Sequence, residues 1–393
     1  MAAKILFAFC LLLLVCIAES QPDVTKFFNV KNYGAIADGK TDNSAAFLKA
    51  WSDACNSNGK VTLKIPQGTY MLKQVTFNGP CKGWTIVRIE GVLLAPSDPF
   101  FATDQWINFR YVNNLIVSGP GSLDGQGSSA WRVNKNHNRP NLPISMTFYF
   151  VTNGFVHHLS SINSKGGHFK MFACENMTFM KVKISAPGDS PNTDGIKVAN
   201  SSGVSIRSSN IGTGDDCIAM ISGSKNVLIS DVFCGPGHGI SVGSLGRNDG
   251  EEDVENINVR NCTLSGTTNG LRIKTWALPL SKPLKASNFM YEDIMMNNVD
   301  NPIIIDQEYC PSRSCSNKDP SKVEISNVSF KNIHGSSNTQ VAISLKCSAK
   351  YPCKSITMDN IDLWQNRGVG KLSNLCSNVK GASYGKQNPP SCL

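Results

Sequence analysis

Six side chains in the middle of the chain have the types and spacing of an acid–base site: Asp194, Asp215, Asp216, His238, Arg272 and Lys274. Carboxyl groups that crowd one another and lose contact with water do not all stay ionised, so at least one of the three should have a raised pKa. A protonated carboxyl opposite an ionised one is what glycoside cleavage requires, since one protonates the leaving oxygen while the other activates water or attacks carbon. The two cations suit a substrate that itself carries carboxylates.

A repeat in the sequence would position these groups. Segments that begin at Asp194, Asp216 and His238 each place Ile two residues later and lie 22 residues apart, and related segments begin at Asn269 and Asn301. Short strand-like runs rich in Val and Ile separate them. This pattern predicts a solenoid of β-coils, in which equivalent residues of successive coils stack about 4.8 Å apart in parallel sheets. Asp194 and Asp216 should therefore be neighbours, with His238 on the next coil.

The predicted fold is all-β and has one domain, over residues 21–393. A propeller would need a longer repeat, and a βαβ fold would need helical crossovers that the pattern does not contain. One amphipathic helix is expected over 43–55, with Asp42 as its N-cap. We expect this helix to cover the N-terminal end of the solenoid through Phe47 and Trp51, because an open end exposes apolar residues and strand edges.

Residues 1–20 read as a secretory signal peptide, since one Lys precedes an unbroken apolar run and small residues follow at 18–20. We therefore expect a secreted protein without a membrane segment after cleavage. Lys and Arg outnumber Asp and Glu by 38 to 29. This excess favours an anionic partner such as an acidic polysaccharide, whereas secretion and the lack of a basic–aromatic module argue against nucleic acid.

Twelve of the 14 cysteines lie beyond the signal peptide, in a chain destined for an oxidising compartment. Short spacings suggest the disulfides Cys55–Cys81, Cys217–Cys234, Cys310–Cys315, Cys347–Cys353 and Cys376–Cys392. Cys174 and Cys262 are left as buried thiols. Sequons for N-glycosylation begin at Asn176, Asn200, Asn261 and Asn327.

Four motifs resemble the signature motifs of the polygalacturonases, glycoside hydrolase family 28: Asn192-Thr193-Asp194-Gly195, Gly214-Asp215-Asp216-Cys217, Gly237-His238-Gly239 and Arg272-Ile273-Lys274. The N-terminal Phe28-Asn29-Val30-Lys31-Asn32-Tyr33-Gly34-Ala35 looks like that of the plant members, and the chain is similar in character to pollen exopolygalacturonases. The resemblance implies a right-handed parallel β-helix. It also implies inverting hydrolysis of α-1,4-linked galacturonan without a metal or other cofactor.

The resemblance also implies a role for each residue. Asp215 would be the general acid, and Asp194 with Asp216 would hold and deprotonate the attacking water. His238 would tune the acid and contact substrate. Substrate binding would involve Asn192, Arg272, Lys274 and Tyr309.

The leading hypothesis is a secreted, monomeric exopolygalacturonase of the cell wall that trims the homogalacturonan of pectin from a chain end. Endo cleavage is the alternative within the class. A lyase on the same scaffold would use calcium and a basic proton acceptor. A non-catalytic pectin-binding protein is a further alternative, although binding alone would not need three carboxylates that face an anionic polymer. Taken by themselves, Asp215 and Asp216 would also suit a calcium-binding or solvated turn.

Overall fold

The computed structural model describes residues 25–102, 104–137, 142–311, 315, 319–366 and 370–393. The predicted signal peptide lies outside these residues. In the part of the chain that is described, no helix is both long and apolar enough to cross a membrane.

The chain winds into a parallel β-helix, as the repeat predicts, with strands in two parallel sheets. We call them the large sheet, with 21 strands among the described residues, and the small sheet, with 11. The large sheet contains Lys26–Asn29, Asp38–Asp42, Val61–Ile65, Thr69–Met71, Thr85–Ile89, Val92–Leu94, Asn113–Ser118, Ser122–Asp124, Thr152–His157, Ser160–Ile162, Glu175–Met180, Lys183–Ser185, Ser202–Arg207, Asn210–Gly212, Lys225–Ser230, Phe233–Cys234, Val254–Ser265, Leu284–Val299, Val323–Ser337, Cys353–Gln365 and Val379–Asn388. The small sheet contains Val75–Asn78, Gln105–Arg110, Ile144–Tyr149, Phe169–Phe172, Ile196–Ala199, Ile218–Met220, Ile240–Leu245, Asn269–Thr275, Asn301–Asp306, Val341–Lys346 and Ser373–Ser377.

The register of the small sheet is the one that the repeat predicts. Ile196 pairs with Ile218, Ile218 with Ile240, Ile240 with Leu271, and Leu271 with Ile303. All five side chains are buried and form one apolar column along the solenoid. Because every new coil repeats this column, a long chain keeps a single continuous core.

The predicted helix covers the N-terminal coils and extends over Ser44–Cys55. Its N-cap is Asn43, one residue later than predicted, while the Asp42 carboxylate accepts a hydrogen bond from the Ser44 amide at 3.0 Å. Trp51 is buried and packs against Phe77, with ring centroids 5.0 Å apart. The helix therefore closes the core at this end.

A second helix, Ser128–His137, was not predicted, and a short 3-10 helix covers Val30–Tyr33. Trp131 anchors the second helix, since its indole N–H donates to the Lys165 carbonyl oxygen at 3.1 Å. This contact joins segments 34 residues apart in the chain.

All five predicted disulfides are present, and Cys174 and Cys262 are buried free thiols. The four sequon asparagines all occupy bends with φ between 47° and 55°. None of them is buried, so glycans at these positions would project from the outside of the coils.

Candidate active site

The three predicted carboxylates come together where strands of the small sheet begin. Asp194 and Asp216 each lie two residues before a buried Ile, and the Gly195 amide donates to the Asp216 carbonyl oxygen at 2.9 Å. His238 follows on the next coil, and its amide donates to the Asp215 carbonyl oxygen at 2.8 Å. The stacking of coils thus brings residues from three turns into one site.

The turn that presents Asp215 is fixed from several sides. The Thr193 hydroxyl oxygen accepts a hydrogen bond from the Gly214 amide at 3.0 Å, which ties this turn to the coil of Asp194. A Cβ on Gly214 would lie 2.0 Å from the Ser190 carbonyl oxygen, so only glycine fits there. Cys217, directly after Asp216, is buried and bonded to Cys234. These constraints hold the acids in place before substrate arrives.

Each carboxylate has its own basic partner. Lys197 Nζ lies 2.9 Å from Asp194 Oδ2, and His238 Nδ1 lies 3.0 Å from Asp215 Oδ1. The remaining carboxylate, Asp216, is held by several donors. Arg272 Nη2 and the Ser241 hydroxyl donate to its Oδ1 at 2.6 and 2.7 Å, and Lys274 Nζ donates to Oδ2 at 2.8 Å.

Asp194 is the carboxyl with a raised pKa. Burial raises its pKa to about 6, the nearby charges of Asp215 and Asp216 add to this effect, and Lys197 opposes it. Its side chain is 9% exposed. The sequence-based expectation that one of the crowded carboxyls has a raised pKa is confirmed.

Asp215 behaves differently. Burial alone would raise its pKa, but the hydrogen bond and charge of His238, together with Lys274, lower the pKa to about 2. In the free protein Asp215 is therefore ionised, whereas the general-acid role requires a proton. Its side chain is 21% exposed, against 2% for Asp216, so its environment can change most when a ligand covers it.

The carboxylates face an open cleft of about 720 Å³. Asn192, Lys274 and Tyr309 line it, as predicted for substrate-binding residues, and the Lys274 ammonium lies 5.4 Å from the centre of the Tyr309 ring. Arg272 and His238 are not among the lining residues and contact the acids from beside the cleft. The main contact of Arg272 is therefore with the Asp216 carboxylate and not with the cleft.

Sequence reasoning missed Lys170, Lys197 and Ser241. Lys197 pairs with Ala219, Ala219 with Ser241, and Ser241 with Arg272, which makes them one outward column of the small sheet. Lys170 occupies the same column one coil earlier and lines the cleft. The repeat contained this signal, because Lys197 and Ser241 each lie three residues after a predicted site residue.

Asp215, Asp216 and His238 are the described residues whose side-chain atoms could together hold a metal ion, with ligand atoms within 4.8 Å of one another. A cation there would have to displace existing contacts, since Nδ1 of His238 already binds Asp215 and both oxygens of Asp216 accept hydrogen bonds. The positive charges of Arg272 and Lys274 would also repel it. This donor set fits a divalent cation poorly.

Comparison with known families agrees with the geometry. The model described as glycosyl hydrolases family 28 matches residues 55–392. The chain belongs to this family. A model described as rhamnogalacturonase A/epimerase, pectate lyase-like, matches residues 27–78.

Relatives within the family are similar along nearly the whole chain. A polygalacturonase of Gossypium barbadense is 46% identical over 97% of this chain and 94% of its own length. An exopolygalacturonase of Platanus acerifolia is 47% identical over 92% of this chain and 96% of its own length. The solved endo-xylogalacturonan hydrolase of Aspergillus tubingensis superposes with a TM-score of 0.78 at 22% identity, over 91% of this chain and all of that one, which supports the fold.

Proposed function

We propose that this chain is an exopolygalacturonase, which hydrolyses α-1,4-linked galacturonan from a chain end. The observation that carries the proposal is the set of three carboxylates on neighbouring coils, each with its own basic partner, along an open cleft of a family 28 chain. Relatives named exopolygalacturonase, such as those of Platanus acerifolia and Zea mays, favour the exo over the endo mode.

In the proposed mechanism, a water molecule attacks the anomeric carbon while the bond to the leaving oxygen breaks. Asp215 gives its proton to that oxygen, and a carboxylate takes a proton from the water. Three donors fix the oxygens of Asp216, and because an ionised carboxylate has about four acceptor sites, one is left to hold the water. Asp194 has one ion pair and a pKa of about 6, raised by burial. A carboxylate with a pKa near neutrality takes up a proton more readily, so Asp194 is the better proton acceptor.

Asp215 must gain a proton before it can act as the acid. A bound galacturonan chain would cover the cleft, exclude water and add negative charge, and each of these effects raises the pKa of a carboxyl group. Because Asp215 is the most exposed of the three, covering it changes its surroundings most. We infer that substrate binding itself causes Asp215 to become protonated.

A leaving-group experiment tests the assignment. Asp215→Asn should lower turnover of oligogalacturonides by a factor of about 10² to 10⁴, the usual range for a general acid. The same variant should cleave an aryl galacturonide with a good leaving group nearly as fast as the wild type, because that bond needs no protonation. Asp194→Asn is the matched control and should lose both activities. If the aryl galacturonide were instead cleaved at a nearly normal rate by Asp194→Asn, then Asp194 would be the general acid and Asp215 the base.

Product analysis on a defined oligogalacturonide tests the reaction itself. Monomer as the sole early product supports exo hydrolysis, whereas early mixed oligomers would indicate the endo mode. Unsaturated, ultraviolet-absorbing products that disappear with a chelator would indicate a lyase. Binding without any products would indicate a non-catalytic pectin-binding protein.

We also propose that the protein is secreted to the cell wall as a monomer after loss of residues 1–20. Expression of the full chain in plant cells should release a protein into the medium with Gln21 as its N-terminal residue. Its mass in solution should correspond to one glycosylated chain. Retention in the membrane fraction would contradict cleavage, and a doubled mass would contradict the monomer.

A further inference from the structure

A second groove of about 950 Å³ lies on the large sheet, away from the active site. Its side chains come from successive coils and include Arg88, His158, Lys181, Lys183, Asn210 and Phe233. It shares no lining residue with the active-site cleft. We call it the crease.

The crease follows from how the coils bend. His158, Lys181, Ser208 and Asp231 each have φ between 48° and 56° and lie between two strands of the large sheet on successive coils. This left-handed conformation turns the chain sharply within one residue. Because the turns stack at about 4.8 Å per coil, the resulting concave line extends along the solenoid and suits a linear ligand.

The crease carries positive charge that other groups leave free. Lys181 and Lys183 are both exposed, and neither has an ion-pair partner among the described residues. The acidic lining residue, Asp231, keeps its negative charge when it accepts a hydrogen bond from Asn261 at 2.6 Å, but the two lysines outnumber this one carboxylate. Arg88 is engaged by Glu90 at 3.0 Å, so the two lysines are the cations available to a ligand.

Neutral polar groups and an aromatic ring flank the lysines. Lys183 is paired in register with Ser160 on one side and Asn210 on the other. Asn210 in turn pairs with Phe233, whose side chain is 41% exposed. A linear surface with free ammonium groups, hydroxyl and amide groups, and an exposed ring matches a polymer of sugar acids, which offers carboxylates, hydroxyls and apolar C–H faces.

We propose that the crease is a second binding site for galacturonan, which holds a polymer segment while the cleft acts on a chain end. The choice of ligand rests on the proposed function. Such a site would keep the enzyme on a long or insoluble substrate without contributing to the cleavage of short oligomers, in the way that linked sites raise avidity.

The test compares Lys181→Glu/Lys183→Glu with a matched control, Lys354→Glu/Lys380→Glu, which reverses two exposed lysines of neighbouring C-terminal coils. Binding is measured by affinity electrophoresis in gels that contain polygalacturonate, in an Asp215→Asn background and with trigalacturonate saturating the cleft. The crease variant should bind about tenfold more weakly, as expected for two exposed charge contacts replaced by repulsion, and the control should bind like its parent. Thermal melting establishes that both are folded.

The active enzyme gives an independent measurement. The crease variant should have a raised KM on polygalacturonate and an unchanged kcat/KM on trigalacturonate. Equal losses in the control pair, unchanged polymer binding in the crease variant, or equally tight binding of single-stranded DNA would each overturn the proposal. A wild type that binds polygalacturonate but cleaves neither substrate would refute the proposed function. The gel measurement would still show whether the crease binds the polymer.

Discussion

Lys197→Gln is the substitution that tests most directly how the site sets the charge of its base. Lys197 Nζ lies 2.9 Å from Asp194 Oδ2, and the Asp194 side chain is 9% exposed. Burial raises the pKa of Asp194 and the positive charge of Lys197 lowers it, and the resulting pKa is about 6. An opposite charge at this distance lowers a carboxyl pKa by about 1 to 3 units. Because Lys197 is partly exposed, we take the lower end, about one unit.

Removing the charge should therefore move the pKa of Asp194 from about 6 towards 7. Asp194 must be ionised to accept a proton, so its ionised fraction is a factor in the activity at every pH, and a higher pKa lowers this factor at acidic pH. At pH 5 the ionised fraction would decrease about ninefold, whereas well above pH 7 the variant and the wild type should converge.

The assay is kcat/KM on trigalacturonate between pH 4 and pH 8, taken as the ratio of the variant to the wild type at each pH, because kcat/KM reports the ionisation of the free enzyme. The protonated fraction of Asp215, whose pKa is about 2, enters both values and cancels in this ratio. Lys197→Arg is the control and should keep this ratio near one at every pH, since it keeps the charge. An unchanged profile in Lys197→Gln would refute the view that Lys197 acts through Asp194. A ratio that is near one at acidic pH and rises above one at alkaline pH would instead identify Asp194 as the acid.

Three further substitutions test the surroundings of the site. Arg272→Ala should lower the free energy of unfolding by about 3 kcal/mol, because it leaves Asp216, which is 2% exposed, with one cation; denaturant titration measures the loss. Cys217→Ala/Cys234→Ala should cost about 3 kcal/mol by the same method, as for other loops of similar length. Trp51→Ala should cost about 3 to 5 kcal/mol and leave kcat unchanged, since it opens the N-terminal end of the core far along the chain from the acids.

The repeat made the position of the acids predictable. Once Ile196, Ile218 and Ile240 are recognised as equivalent, the residues two positions earlier must stack, and the structure has this register. Lys197 was equally predictable, because it directly follows the buried Ile196 and so lies in a column of the same repeat. The pKa order of the carboxyls was not predictable, because it depends on side-chain directions and on which cation reaches which acid.

The helix Ser128–His137 escaped prediction for a different reason. Its sequence is mostly polar, and its apolar residues, Ala130, Trp131 and Val133, lie within four positions, so they are too few to show a repeat along a helix. A tertiary contact holds it instead, between Trp131 and the Lys165 carbonyl oxygen. Such contacts between distant segments cannot be read from local sequence, whereas stacking within a repeat can.

The balance of charge in the cleft explains how three carboxylates can work on an anionic polymer. Four aspartates line the cleft, and they are matched by four cations: Lys170, Lys197, Arg247 and Lys274. Without these cations the carboxylate of each incoming galacturonate would be repelled by the aspartates of the cleft. This repulsion is strong where the site is partly shielded from water. Two of these cations, Lys197 and Lys274, are therefore shared, because each is paired with a carboxylate in the free enzyme and also lines the cleft that admits a substrate carboxylate. When substrate draws positive charge away from Asp215, the pKa of that carboxyl rises, so the same shared charges that admit the polymer also prepare the acid.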